Sequence, residues 1–241
     1  MSLMTQPGKL IAIEGVDGSG KRTQTDLLSR ALVTRGIPCR TVSFPRYGSF
    51  FGKMIGRFLN GEFGRLEAVD PHFAALLYSG NRLEAKSELD AALAAGETIL
   101  ADRYIASNMA HQGSRVPPEK RAEFLDWLRQ LEYETYGLPA ETLVVYLRLK
   151  PAEAQRLVGK KTQRSYTTRE RDLLESNLAH LEQAALVYDV LAMEPHWATI
   201  ECFDAASETL KPAEQIHHAV LAAVEARVLT SPAARKQGHQ L

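Results

Sequence analysis

IEGVDGSGKRTQ, residues 13–24, holds Gly15, Gly20 and Lys21 at the spacing of a phosphate-binding loop. The general pattern is Gly, four residues, Gly, Lys and then Ser or Thr. Arg22 stands where the hydroxyl belongs. Residues 9–14 are a nearly continuous apolar run and read as a strand; 21–35 read as a helix stopped by Gly36-Ile37-Pro38. Glycines in such a turn let backbone N–H groups close around phosphate oxygens, and the helix behind presents its positive end. Gly15, Val16, Asp17, Gly18, Ser19, Gly20, Lys21, Arg22 and Thr23 are therefore the candidate nucleotide-phosphate residues, with Lys21 reaching the β and γ oxygens. The bland alternative is a tight strand–helix turn with a solvated lysine. Thr23 is no substitute for the missing hydroxyl, because one step along a helix turns a side chain by roughly 100°.

Outward from this loop, short apolar runs alternate with helical patterns. Strands are expected over 39–44, 98–102, 142–149 and 197–203. Helices are expected over 49–59, 70–95, 117–136, from Pro151, over 172–192 and over 212–228. Strands apolar on both faces and separated by helices imply an α/β fold, with a parallel sheet covered on both sides. Such sheets bind ligands beyond the carboxyl ends of their strands. That points to 15–23, 44–47, 102–108 and the basic stretch after the fourth strand. Asp102 ends an apolar strand, as a metal-side aspartate does in phosphate-loop enzymes; a helix cap or an ion pair with Arg103 is the structural alternative. Mg²⁺ keeps waters readily and needs only one or two carboxylates besides phosphates, so Asp17 and Asp102 are the candidate suppliers.

Composition limits the alternatives. The 241 residues are 45% hydrophobic and 24% charged, enough for a packed core. They suit a single domain over 1–229 with a tail over 230–241. Lysine plus arginine equals aspartate plus glutamate at 29 each, which argues against bulk attraction to nucleic acid or to an anionic membrane. No apolar run reaches the roughly 20 residues that span a bilayer. The N-terminal residues show no apolar signal core. Two cysteines, Cys39 and Cys202, without CxxC spacing, fit a reduced cytoplasmic setting.

Several motifs in register then identify a resemblance: EGVDGSGKRTQ, FPRYG (44–48), LLYSGNRLE (76–84), DRYIASNMAHQG (102–113) and YGLPAETLVVYL (136–147). Together they resemble the thymidylate kinase family, in its bacterial subgroup with a GxDGxGKRT loop. The resemblance implies a P-loop nucleoside-monophosphate-kinase-like three-layer fold with five parallel strands. It further implies ATP and Mg²⁺ as cofactors, dTMP as acceptor, a mobile lid over about 159–171, and a homodimer.

It assigns roles by position. Asp17 organises acceptor and cations. Phe44, Arg46 and Tyr47 line the acceptor site, although Phe44 reads equally as core. Tyr78 stacks on the base and Arg82 hydrogen-bonds it; without the resemblance they read as a core tyrosine and a surface arginine. Arg103 contacts the acceptor phosphate and the transferring group. Ser107, Asn108 and Gln112 contact the acceptor, and His111 stands near the 2′ carbon of the sugar. In the lid, among Lys160, Lys161, Arg164, Arg169 and Arg171, the arginines Arg164 and Arg169 act as catalytic residues, because Gly18 and Ser19 leave the loop without one. Glu175 lies near acceptor or metal, and Leu174 stands where some members carry tyrosine. A kinase for another monophosphate or a deoxynucleoside, and a non-catalytic nucleotide-binding protein, are the remaining readings. A GTP switch is disfavoured, since the chain holds no Asn-Lys-x-Asp motif.

Overall fold

The computed structural model describes residues 7–158, 178–204 and 206–229. The expected lid, with Lys160, Lys161, Arg164, Arg169, Arg171, Leu174 and Glu175, and the tail over 230–241 lie outside those residues.

Five strands form one parallel sheet: β1 (Lys9–Glu14), β2 (Cys39–Ser43), β3 (Thr98–Asp102), β4 (Leu143–Arg148) and β5 (Trp197–Glu201), in the order β2-β3-β1-β4-β5. β1 is central, and Leu10, Ile11, Ala12 and Ile13 on it are all at most 1% exposed. Burying each of its large side chains contributes roughly 1.5–3 kcal/mol. That burial on both faces is why an uninterrupted apolar run, rather than an alternating one, marks a central parallel strand. α1 (Lys21–Thr34) carries the chain from β1 to β2, while α5 (Ile105–Gly113) and α6 (Arg121–Arg129) lie on the route from β3 to β4. The two routes leave β1 and β3 in opposite directions along the sheet. Right-handed crossovers therefore place them on opposite faces, giving helix, sheet and helix layers.

Two further helices, α2 (Phe50–Leu59) and α3 (Pro71–Leu83), pack on each other around a second core of Ile55, Phe58, Leu59, Leu66, Val69, Ala74 and Leu77. α4 (Lys86–Ala94) runs into β3, α7 (Pro151–Val158) follows β4, α8 (Leu178–Leu191) packs on α5, and α9 (Ala213–Val224) packs on α1.

Three elements differ from the periodicity-based expectation. The single helix over 70–95 divides into α3 and α4. Around Ala85 the ladder tightens, with Ala85 N donating to Arg82 O at 2.9 Å. The Glu84 carboxylate turns away to accept from Phe51 N at 3.2 Å and from the Ser49 hydroxyl. The helix over 117–136 is α6 flanked by a 3₁₀ turn at Pro118–Lys120 and a π-helix at Gln130–Thr135. α5 follows β3 after only Arg103 and Tyr104, in a stretch for which no helix was expected. A small hairpin, β6 (Phe203–Asp204) with β7 (Thr209–Leu210), extends the chain beyond β5.

Candidate active site

The register of β1 with β3 sets Ile13 opposite Asp102, so the loop at 15–20 and the residues after β3 start side by side. Arg103 N donates to Ile13 O at 3.1 Å and closes that junction. The loop turns through glycines in conformations that L side chains rarely adopt, Gly15 at φ +143 and Gly18 at φ +93. A Cβ on Gly18 would stand 2.2 Å from the Ala154 carbonyl oxygen, and one on Gly15 2.7 Å from that of Leu147. Only glycine fits, because the loop presses against α7 and the end of β4. Ser19 is buried, and its hydroxyl has no hydrogen-bond partner among the described residues. Lys21 is buried too, its ammonium donating to the carbonyls of Gly15 and Val16 at 2.9 Å each. The first turn of α1 contains no acidic residue. Its positive end thus reaches the loop with no carboxylate in that turn to offset it, as an anion site requires.

Facing the loop is Arg103, at φ +69. It pairs with Asp17 and donates from NH1 to Ser107 Oγ at 2.9 Å and to His111 Nε2 at 3.4 Å. Burial opposes the guanidinium's charge, but Asp17, with Tyr188 and Glu14 behind it, outweighs burial and holds its pKa well above the usual value. His111 is pushed well below the usual histidine range, first by burial and then by the Arg103 charge.

Under this group lies Glu14, fully buried at the end of β1. It accepts from Tyr104 N at 2.6 Å, Ser107 N at 3.2 Å, Ser107 Oγ at 2.6 Å and Tyr188 OH at 3.0 Å. A carboxylate from the central strand thereby caps α5, whose own N-cap residue, Tyr104, makes no side-chain cap. Burial, then Glu14, raises the Tyr188 phenol well above its ordinary pKa, so it stays a donor.

A second polar cluster borders the first. Arg82, 2% exposed, pairs through Nε (2.6 Å) and NH2 with both oxygens of Glu132 on the π-helix, and through NH1 with Tyr104 O at 3.4 Å. Ser79 Oγ (2.8 Å) and Asn108 Nδ2 (3.0 Å) also donate to Glu132. Asn108 Oδ1 and Gln112 Nε2 are buried without a hydrogen-bond partner among the described residues, one an acceptor and the other a donor.

The sequence-derived residues divide accordingly. Asp17, Lys21, Arg103, Ser107 and His111 converge. Asn108 and Gln112 follow on the same helix, and Arg82 is engaged with Glu132. Phe44 is 3% exposed within the main core, tilted on Tyr104 and under the Arg46 guanidinium at 5.4 Å. Arg46 pairs with Glu88 at 2.7 Å, and its backbone N–H is held by Asn81 Oδ1 at 2.8 Å. Tyr47 and Tyr78 pack, partly buried, against the second core. Asp102 is partly buried in register with Ser43 and Ile13. Arg22 and Thr23 are exposed on α1. No group of three His, Cys, Asp or Glu side chains able to hold a metal occurs among the described residues.

Glu14, Glu132 and His180 are additions the sequence reading lacks. A glutamate ending an apolar strand was visible for Glu14. Nothing in local periodicity marks the other two.

Comparison with known proteins identifies the family. The family model described as thymidylate kinase matches residues 13–210. The chain is 32% identical over 186 residues to a thymidylate kinase of Mycobacterium tuberculosis, covering 77% of this chain and 86% of that one. It is 35% identical over 147 residues to the thymidylate kinase of Homo sapiens, covering 61% and 64%. A solved thymidylate kinase structure from Candida albicans shares the fold, with TM-score 0.70 at 22% identity over 91% of this chain and 92% of that one.

Proposed function

The chain belongs to the thymidylate kinase family, and from that membership we propose how its residues carry the family's reaction. It is a phosphotransferase moving a phosphoryl group from ATP to dTMP. The observation that carries the site assignment is the junction of β1 and β3, where the glycine loop, Lys21, Asp17 and Arg103 meet at hydrogen-bonding distance. The orphaned Ser19 hydroxyl, the glycine cradle and the acid-free first turn of α1 fit a nucleotide triphosphate.

Phosphoryl transfer asks a protein for alignment and charge neutralisation more than for covalent chemistry. Lys21 exchanges its two loop carbonyls for phosphate oxygens. Arg103 gives N–H groups to the acceptor phosphate and the transferring group, its planar fork suited to bridging two anions. Asp17 orients Arg103 and keeps that cation in place. Arg164 and Arg169 supply further charge from the segment after α7. Asn108 Oδ1 and Gln112 Nε2 offer a buried acceptor and donor to dTMP, with Tyr78 and Arg82 at the base, Phe44, Arg46 and Tyr47 behind, His111 near the sugar and Glu175 near acceptor or metal.

Mg²⁺, when bound, neutralises charge shared between the β and γ phosphates. With Arg22 in the hydroxyl's place, the donor set that fits is phosphate oxygens, waters and a carboxylate from Asp17 or Asp102.

We also propose a homodimer in a cytoplasmic setting. Phe73, Leu76 and Leu83 are exposed on α3, and Phe50 is exposed on α2, which packs on α3. No helix among the described residues is long and apolar enough to cross a membrane. The test is Mg²⁺-dependent ADP formation with dTMP against UMP. Strong turnover with dTMP and little with UMP is expected; equal turnover, or none with either, overturns the assignment.

A further inference from the structure

Beside the site, His111 on α5 and His180 on α8 lie stacked, with ring centroids 5.5 Å apart. Four hydrogen bonds join Arg103, both rings and Ser114 into one series, and its two ends have no freedom of direction. At one end a guanidinium can only donate, so His111 Nε2 accepts from Arg103 NH1. At the other, a carbonyl can only accept, so Ser114 Oγ gives its proton to His111 O at 2.9 Å. That leaves Oγ a lone pair for His180 Nδ1 at 3.2 Å, and Nδ1 must carry the hydrogen. A neutral imidazole carries one N–H. His180 Nε2 is then the acceptor for His111 Nδ1–H at 3.3 Å. Both ends thus require the same tautomer of both rings, Nδ1–H.

We propose that His180 and Ser114 are positioning residues for the transfer reaction: they fix His111 in the tautomer whose Nε2 lone pair holds Arg103 NH1 while Asp17 holds NH2. Which imidazole nitrogen bears the proton is set by the partner of the other one. With the opposite tautomer, His111 would point an N–H at a guanidinium N–H, and of the three side chains described around the Arg103 guanidinium only Asp17 and Ser107 would still hold it. The charged and titratable groups around the pair favour neutral rings. Arg103 and Lys21 oppose a charge on His111 and Arg115 opposes one on His180, with Asp17 the acid working the other way. Tyr188 meets the His111 ring edge-on at 6.3 Å. The third and fourth members of the series, His180 and Ser114, come from α8 and from the residue that ends α5, which supply none of the phosphate loop.

The proposal rests on Arg103 touching the transferring group, and the experiment separates the two. In the full chain, His180→Phe keeps a ring and removes the acceptor, while His180→Gln keeps an acceptor. The readouts are kcat, KM for ATP and for dTMP, and the ¹⁵N spectrum of the histidine rings. His180→Phe should lower kcat about fivefold, the factor of one ordinary hydrogen bond, with both KM values within about twofold. His111 should then lose its single Nδ1–H signature. His180→Gln should recover kcat to within about twofold, and Ser114→Ala should fall between. An unchanged kcat in His180→Phe, or equal loss in Phe and Gln variants, overturns the relay. Should His180→Phe fail to fold, the spectrum of the unsubstituted protein decides, since Nε2–H at His111 overturns it. Normal turnover in Arg103→Ala removes the reading of Arg103 itself, and the relay's role with it.

Discussion

Arg103–Asp17 and Arg82–Glu132 are both arginine–carboxylate pairs, and Arg82 NH1 even bonds the carbonyl of Tyr104, the residue after Arg103. They are built for opposite ends. Arg82 and Glu132 are 2% and 0% exposed, and their bidentate pairing is saturated by Ser79 and Asn108. Arg103 and Asp17 are 16% and 18% exposed, and the guanidinium spreads its N–H groups over one carboxylate, one hydroxyl and one neutral ring. An arginine with mixed, partly exposed partners at a mouth can change some of them for phosphate. One locked to a single carboxylate in the interior braces the backbone that carries the first. Net charge is thus a poor guide to which arginine acts; the strength and number of its existing partners decide.

The largest test of this contrast is on activity. Arg103→Ala should lower kcat by about 10³-fold or more while the thermal midpoint moves little. A loss under about tenfold would erase the distinction between the pairs.

Next comes Glu132→Ala, which strands a buried cation and should cost about 3–5 kcal/mol in urea unfolding. The double change Arg82→Met with Glu132→Leu should recover most of that stability. If the single change is nearly neutral, the interior pair is no brace.

A third carboxylate shows what happens without an arginine. Glu141 is buried with the Tyr133 hydroxyl as its partner at 2.7 Å, and burial pushes its pKa up to about 7 from 4.5. The folded state therefore keeps a proton that the unfolded chain has released, and stability falls as pH rises from about 4.5 to about 7. Glu141→Gln should remove that decline, gaining at most on the order of 3 kcal/mol at neutral pH and nothing near pH 4. Parallel stability curves for the two proteins across that window would contradict the assignment. The smallest effect is expected from Ser79→Ala, about 1 kcal/mol, since Arg82 and Asn108 still serve Glu132.

What the sequence made legible follows physical range. Gly15, Gly20 and Lys21 announce their purpose within eight residues, and a buried parallel strand shows itself as an apolar run. Asp17 and Arg103, 86 positions apart, could be paired only through the family resemblance, although each was singled out. Glu132 was hidden because it sits on a π-helix, whose wider turn breaks the 3.6-residue period that marks an inward face. The split between α3 and α4 was hidden because Glu84 is drawn off by Ser49 and Phe51, 35 and 33 residues away. α5 was missed because its cap is a carboxylate from another strand, which no local start signal records.

The strand order has a practical consequence for handling the protein. The phosphate loop and Arg103 stand directly after β1 and β3, whereas the β6–β7 hairpin follows β5, the edge strand on the far side of β4. Its exposed turn near Ser207 and Glu208 is therefore a place to insert an affinity tag or a fluorophore, where added chain length burdens neither the phosphate loop nor the helix that follows it.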